Sequence, residues 1–162
     1  LMRVVHTLEP IYDKASKILI LGTMPSVKSR EQAFYYAHPQ NRFWKIMAQL
    51  FECSLETKEE KTAFCHQHHI ALYDVLESCD IHGSSDSSIK NAKPNDLREI
   101  LQNSQIEMIF TTGKKAYSLY QKYQEKQTGI AAICLASPSP ANASKKLKDL
   151  VEDYQVILKY TA

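Results

Sequence analysis

Between Phe34 and Trp44 the chain gathers Phe34, Tyr35, Tyr36, His38, Pro39, Asn41, Phe43 and Trp44 within eleven positions. Flat rings stack on flat ligands, a carboxamide donates and accepts at once, and an imidazole titrates near neutrality. This mixture suits a pocket for a flat heterocycle of nucleobase size. The segment follows the apolar run Ile18-Leu19-Ile20-Leu21, which ends at Gly22 and the loop Thr23-Met24-Pro25-Ser26. A short apolar run closed by Gly and Pro reads as a strand buried on both faces, with the pocket beyond its carboxyl end.

A second loaded stretch is Ala136-Ser137-Pro138-Ser139-Pro140-Ala141-Asn142-Ala143-Ser144, and a third is Gly113-Lys114-Lys115. Hydroxyls, backbone amides and charge from Ser137, Ser139, Asn142, Lys114 and Lys115 can bind phosphates, and Lys145 and Lys146 extend the basic cluster. Helix capping and solvated lysines are the plainer reading of the same residues. Asp86, in a serine-rich loop, is a further polar group able to orient water, although a polar loop needs no such role.

Other chemistries are disfavoured. GxxxxGK[ST], GxGxxG, HExxH and GxSxG are all missing, and four glycines leave little for a phosphate cradle. Cys53, Cys65, Cys79 and Cys134 form no CxxC pair, so neither a metal nor a cofactor is expected, and scattered thiols suit a reducing cytoplasm. Cys65, His66, His68 and His69 invite a zinc reading, but a solvated helix end explains them better. With 20 basic against 18 acidic residues the net charge is +2, so any polyanion-binding face must come from local clustering. No long apolar span predicts a membrane segment.

The elements that would position these groups alternate. Strands are expected at 17–22, Ile70–Val75, Ile106–Thr112 and Ile130–Leu135. Helices are expected over Asn41–Phe51, from the capping-box spacing at Thr57 to about His68, around Leu97–Leu101, from Lys114, and from Leu147 to Leu158. Residues 2–16 show no clear pattern, and Ile81–Asn95 reads as a loop. The expectation is one α/β domain over 1–162: three layers, α/β/α, around a mostly parallel four-stranded sheet.

Taken together, the motifs resemble the uracil-DNA glycosylase superfamily. Gly22-Thr23-Met24-Pro25-Ser26 is similar to its first motif, and Ser137-Pro138-Ser139-Pro140-Ala141-Asn142 to its second, the loop that meets the DNA backbone. Tyr36-Ala37-His38-Pro39-Gln40-Asn41-Arg42-Phe43-Trp44 is similar to a segment of the mismatch-specific uracil/thymine glycosylases. The hypoxanthine (deoxyinosine) branch is nearest, through Phe34 to Pro39, Gly83-Ser84-Ser85-Asp86-Ser87 and Ser139 to Ala143. The resemblance covers about residues 17–160.

It implies base contacts from Tyr36, Thr23, Met24 and Phe34, with Tyr36 as the stacking platform and core packing as its rival. Met24 stands where mismatch-specific members carry a catalytic Asn, and a thioether cannot hold water strongly. The hypoxanthine branch is similar in lacking that amide, and its implicated residue corresponds to Asn41. Asn41 can donate to a purine and accept from a ring N–H, or cap the helix beginning at Phe43; the two are compatible. His38 is the second catalytic candidate, as a donor to the leaving base. A flipping wedge in relatives falls at Ala141, which is too small to fill a vacated stack.

The implied activity is metal-free hydrolysis of the N-glycosidic bond of a deaminated base, foremost hypoxanthine, by a cytoplasmic monomer acting on damaged DNA after base flipping. Rivals are a uracil or mismatch glycosylase, a catalytically inactive lesion-binding module, and a nucleoside hydrolase.

Overall fold

The computed structural model describes residues 1–162. Strand β1 (Met2–Val5) precedes the apolar run, which forms β2 (Ile18–Gly22) with every residue buried. Helices α1 (Val27–Gln32), α2 (Phe43–Leu50) and α3 (Lys58–Gln67) lead to β3 (Ile70–Asp74). Strands β4 (Leu76–Ile81) and β5 (Lys90–Pro94) follow, separated by a short 3-10 turn at Asp86–Ser88. The chain continues through α4 (Arg98–Gln102), β6 (Met108–Thr112), α5 (Lys114–Tyr123), α6 (Glu125–Thr128) and β7 (Ile133–Leu135). It closes with α7 (Leu147–Tyr154) and α8 (Leu158–Thr161).

Four strands form a sheet in the order β3-β2-β6-β7, with each neighbouring pair parallel. Alternation along β2 divides the core. Ile18 and Ile20 pack with Phe43, Ile46 and Met47 of α2, Phe64 of α3, and Leu150 and Tyr154 of α7. Leu19 and Leu21 face the other way, among Ile100 of α4 and Ala116, Leu119 and Tyr120 of α5. Burial on both faces is why the run shows no polar positions, and the expected three layers are present.

Strands β1, β4 and β5 form a second, antiparallel sheet that the sequence reading did not anticipate. Residues 2–16 carry no clear pattern, and 81–95 has the polar composition of a loop. The cause is physical. Both β1 and β5 are edges, and edge strands carry solvated, charged or Pro residues that erase the period-two signal. Arg3, Lys90, Lys93 and Pro94 fill that role here. Strand β4 delivers the buried apolar side chains, Leu76, Cys79 and Ile81, to the second half of the core, while β1 and β5 add only the partly buried Val4 and Ala92.

Smaller differences lie at element ends. The third and fourth parallel strands are shorter than expected, the short helices α1 and α6 are additional, and the last helix breaks after Tyr154 into a 3-10 turn and α8. Thr57 and Glu60 form the expected reciprocal cap of α3. At its far end His66 Nδ1 lies 3.0 Å from Asp13, while His68 packs on Phe51 and Phe64. No three His, Cys, Asp or Glu side chains are grouped to hold a metal ion. No helix is long and apolar enough to cross a membrane.

Candidate active site

A cleft opens at the carboxyl ends of the parallel strands, where loops of such sheets converge. Its wall includes Gly22 at the end of β2, Asp74 at the end of β3, Thr112 at the end of β6, and Ser137 to Ser139 beyond β7. Thr23, Met24, Tyr36 and Asn41 complete the part expected from the sequence. The enclosed space is about 120 Å³, several times what one water requires.

Tyr36 sits in the left-handed region at φ 53°, a conformation unusual for an aromatic residue. The turn is held on both sides. Ser29, buried in α1, accepts the Ala37 N–H on its hydroxyl at 3.1 Å and the Phe34 N–H on its carbonyl at 3.0 Å. Trp44 donates its indole N–H to the Tyr35 carbonyl at 2.9 Å. The Tyr36 ring then lies on Phe43, with centroids 4.0 Å apart and planes at 13°, and its hydroxyl is 3.1 Å from Thr112 Oγ1. Burial, reinforced by the Asp74 carboxylate, pushes both the Tyr36 and Tyr35 hydroxyls well above the ordinary phenol range, so both remain protonated.

Asn41 Oδ1 accepts the Phe43 N–H at 2.9 Å. This bond fixes which amide atom is which, since the backbone N–H requires an oxygen. It also leaves Nδ2 free to donate at the cleft wall. Next to it, Arg42 joins two stretches distant in sequence. Its guanidinium donates to the carbonyls of Ser139 at 2.8 Å and Asn142 at 2.9 Å, and also to that of Lys145. The backbone N–H of Arg42 donates to the Pro138 carbonyl at 3.0 Å. Within that loop Ser137 Oγ accepts from the Ser139 N–H and Ser139 Oγ from the Ala141 N–H, so each hydroxyl retains its own proton for an outside acceptor.

Not every expected residue reaches the cleft. Phe34 is buried against Trp44, and with His38 it lines a neighbouring groove that shares Tyr36 and Asn41 as a common wall. His38 Nδ1 accepts the Gln40 N–H at 3.0 Å, leaving only Nε2 for a partner. The Asn142 amide donates to the Ser137 carbonyl at 3.0 Å and so braces the loop. Lys114 is exposed at the start of α5, beside Gly113, where an added Cβ would lie 3.3 Å from Ser137.

Asp74 and His6 were not foreseen. Their side chains are 6% and 2% exposed, and His6 Nε2 lies 2.8 Å from Asp74 Oδ2. The other carboxylate oxygen, Oδ1, faces Gly22 so closely that a Cβ there would lie 2.6 Å away. Gly22 is therefore dictated by the acidic group across from it. The available signal was positional: Asp74 ends the apolar run Ile70-Ala71-Leu72-Tyr73, at the edge where ligand-binding groups collect. Asp86, from the 3-10 turn, also lines the cleft. It is exposed as a residue, yet crowding around its carboxyl pushes it above the usual carboxylate range, with Lys115 pulling the other way.

Comparison with known proteins bears on the family and the fold. Residues 9–159 match the family described as the uracil DNA glycosylase superfamily. A hypoxanthine DNA glycosylase of Methanosarcina acetivorans is 26% identical over 156 residues, covering 93% of this chain and 95% of the relative. A hypoxanthine DNA glycosylase of Methanosarcina barkeri is 28% identical over 112 residues, covering 66% and 70%. The solution NMR structure of a Methanosarcina acetivorans protein superposes with a TM-score of 0.79 at 25% identity, over 97% of this chain and 99% of the other. The chain belongs to the uracil DNA glycosylase superfamily.

Proposed function

We propose that this protein is a monofunctional DNA glycosylase that releases hypoxanthine from deoxyinosine. The observation that carries this reading is the meeting, in one cleft, of the Tyr36 ring, the Asn41 amide and the Ser137–Ser139 loop. The relatives named as hypoxanthine DNA glycosylases support the choice of base. The substrate partner is damaged DNA, met by a monomer in the cytoplasm with no cofactor.

The nucleotide must leave the stack before its base can enter the cleft. The C1′–N9 bond then breaks with its electron pair passing to the base, while a water oxygen bonds to C1′ and gives up a proton. Asn41, through Nδ2, stabilises the electron-rich base as it departs. Tyr36 provides the wall against which the base lies, with Thr23 and Met24 closing the cleft beside it. Ser137 and Ser139 donate to phosphates, Asn142 holds their loop, and Lys114 adds charge outside. His38 and Phe34 serve the same reading from the adjoining groove, His38 through Nε2. No lysine lines the cleft, which favours hydrolysis over a Schiff-base lyase route.

The test is incubation with otherwise identical duplexes bearing deoxyinosine, deoxyuridine or no lesion, followed by alkali. Breaks at deoxyinosine are expected. Breaks at deoxyuridine alone would reassign the base, and tight lesion binding without breaks would mark an inactive binding module.

A further inference from the structure

Beside the cleft lies the neighbouring groove, of about 450 Å³ against about 120 Å³, and most of its lining has no part in breaking a bond. Helix α2 supplies Trp44, Lys45 and Ala48, and the start of α3 supplies Lys58 and Lys61. Fixed contacts hold the two sides. Lys58 Nζ donates to the Gln32 carbonyl at the end of α1, and Lys61 Nζ lies 5.6 Å from the centroid of the Trp44 ring. The floor is apolar, from Ala48, Leu55 and what remains exposed of Phe34 and Trp44. The charge is lopsided, since Lys45, Lys58 and Lys61 share the groove with a single acid, Glu56, and none of the three forms an ion pair. Burial pulls the Lys61 ammonium below the usual lysine range, with Glu56 and Glu60 pulling the other way. A cation held partly out of water without a close counterion is relieved by an incoming anion.

We propose that this groove is a second nucleotide site, which takes the unpaired nucleotide adjoining the everted lesion on the same DNA strand. The inference rests on the glycosylase reading above and extends it from the base to its context. The substrate class becomes a lesion with an unpaired neighbour, as in single-stranded or locally melted DNA. Cations over an apolar, partly aromatic surface are the combination that holds single strands, the phosphate meeting the charge and the base the floor. A paired nucleotide cannot use such a groove, because its base is turned toward its partner. Tyr36 and Asn41 line both the cleft and the groove, so the wall between them is one layer of side chains thick. Consecutive nucleotides are joined by one phosphate, and a base held in the cleft therefore brings its neighbour to the groove. An acidic peptide would match the charge as well. Only a strand already anchored in the cleft gains the high effective concentration that the shared wall provides.

The test is single-turnover base release from single-stranded oligonucleotides carrying one deoxyinosine. In two of them the nucleotide on its 5′ or its 3′ side is replaced by tetrahydrofuran, which keeps the phosphate and lacks the base. On one side the replacement should raise the half-saturating protein concentration by about 10-fold, as loss of one stacked base does. On the other side it should change little, because only one direction along the strand leads to the groove. The rate at saturation should stay nearly the same in all three. Ala48→Phe fills the groove without altering its charge and should abolish the difference. Lys45→Ala with Lys61→Ala should weaken binding of the intact oligonucleotide and leave the rate at saturation unchanged. Cys53, exposed on the groove wall, reports occupancy in the unmodified protein. Its alkylation should slow with the intact oligonucleotide and not with the one lacking the groove-side base.

Equal affinity for intact and replaced oligonucleotides would overturn the inference, and so would equal losses on both sides, as expected from altered strand stiffness alone. Alkylation of Cys53 at one rate with every oligonucleotide would also overturn it, and is the outcome for a groove that takes an acidic peptide instead. The wild-type measurements decide the matter by themselves should a variant fail to fold, as judged by circular dichroism. Protein that releases hypoxanthine from duplexes but not from single strands overturns only the inference. Release from neither overturns the glycosylase reading and the inference with it.

Discussion

The Oδ1 atom of Asn41 receives the Phe43 amide at 2.9 Å, a bond a serine hydroxyl can also make, while nothing in serine replaces the free Nδ2 donor. Substitution thus separates the two roles. Asn41→Ala should cost about 1 kcal/mol of stability, as loss of a cap does, and reduce hypoxanthine release by about 100-fold or more, as loss of one transition-state donor does. Asn41→Ser should restore the melting temperature and leave the slow release unchanged. Thermal melting and single-turnover rates check both, and a serine variant releasing base at the wild-type rate would remove Asn41 from the chemistry. Gly22→Ala makes a second residue-level case, because its Cβ would stand 2.6 Å from Asp74 Oδ1. The carboxylate must move, so release should fall although no polar group has been deleted. Asn41 and Tyr36 were legible because they share eleven positions with six other unusual side chains. His6 and Asp74 were not, since each is unremarkable in its own stretch and they meet only after 68 intervening steps of chain.

At the level of elements, the start of α2 and the loop after β7 work as one unit because Arg42 joins them. Its guanidinium reaches four loop carbonyls, those of Pro138, Ser139, Asn142 and Lys145, and its backbone N–H also reaches Pro138. Charged donors to carbonyls contribute more than neutral ones, and their removal leaves the acceptors unpaired. Arg42→Ala should therefore lower stability by about 1–2 kcal/mol and speed amide exchange across 137–145 while leaving exchange in β2 as it is. The apparent affinity for lesion DNA should weaken more than the rate at saturation, because the loop is proposed to bind phosphates and not to break the bond. Arg42→Lys, a point charge without the planar fork, should recover only part of the loss. The four parallel strands were readable as apolar runs closed by Gly or polar loops, since burial on both faces leaves a continuous signal. The antiparallel sheet was hidden because two of its three strands are solvated edges. That hidden sheet carries His6, and so the least readable part of the fold supplies the least readable part of the site.

Over the whole molecule the charge is nearly balanced, at +2, yet lysines are placed where local helix electrostatics disfavour them. Lys114 occupies the first position of α5, and Lys146 directly precedes α7, both exposed beside the serine–proline loop. A helix N-terminus carries partial positive charge, so a cation there destabilises by a few tenths to about 1 kcal/mol. The same two features, N-terminal amides and cations, become favourable once a phosphate lies between them. Stability and binding should then move in opposite directions. In the double variant Lys114→Ala, Lys146→Ala, the two gains add, and the melting temperature of the free protein should rise by roughly 1–8 °C, given about 2–4 °C per kcal/mol for a chain of this size. Affinity for duplex DNA should fall, and the slope of log K against log salt should become shallower by about two, one unit for each phosphate no longer neutralised. Calorimetry on the free protein and a salt titration of binding measure the two effects independently. If the variant melts higher and binds with an unchanged salt slope, the lysines are merely solvated and the DNA path runs elsewhere; if both change as stated, the serine–proline edge is where the backbone lies.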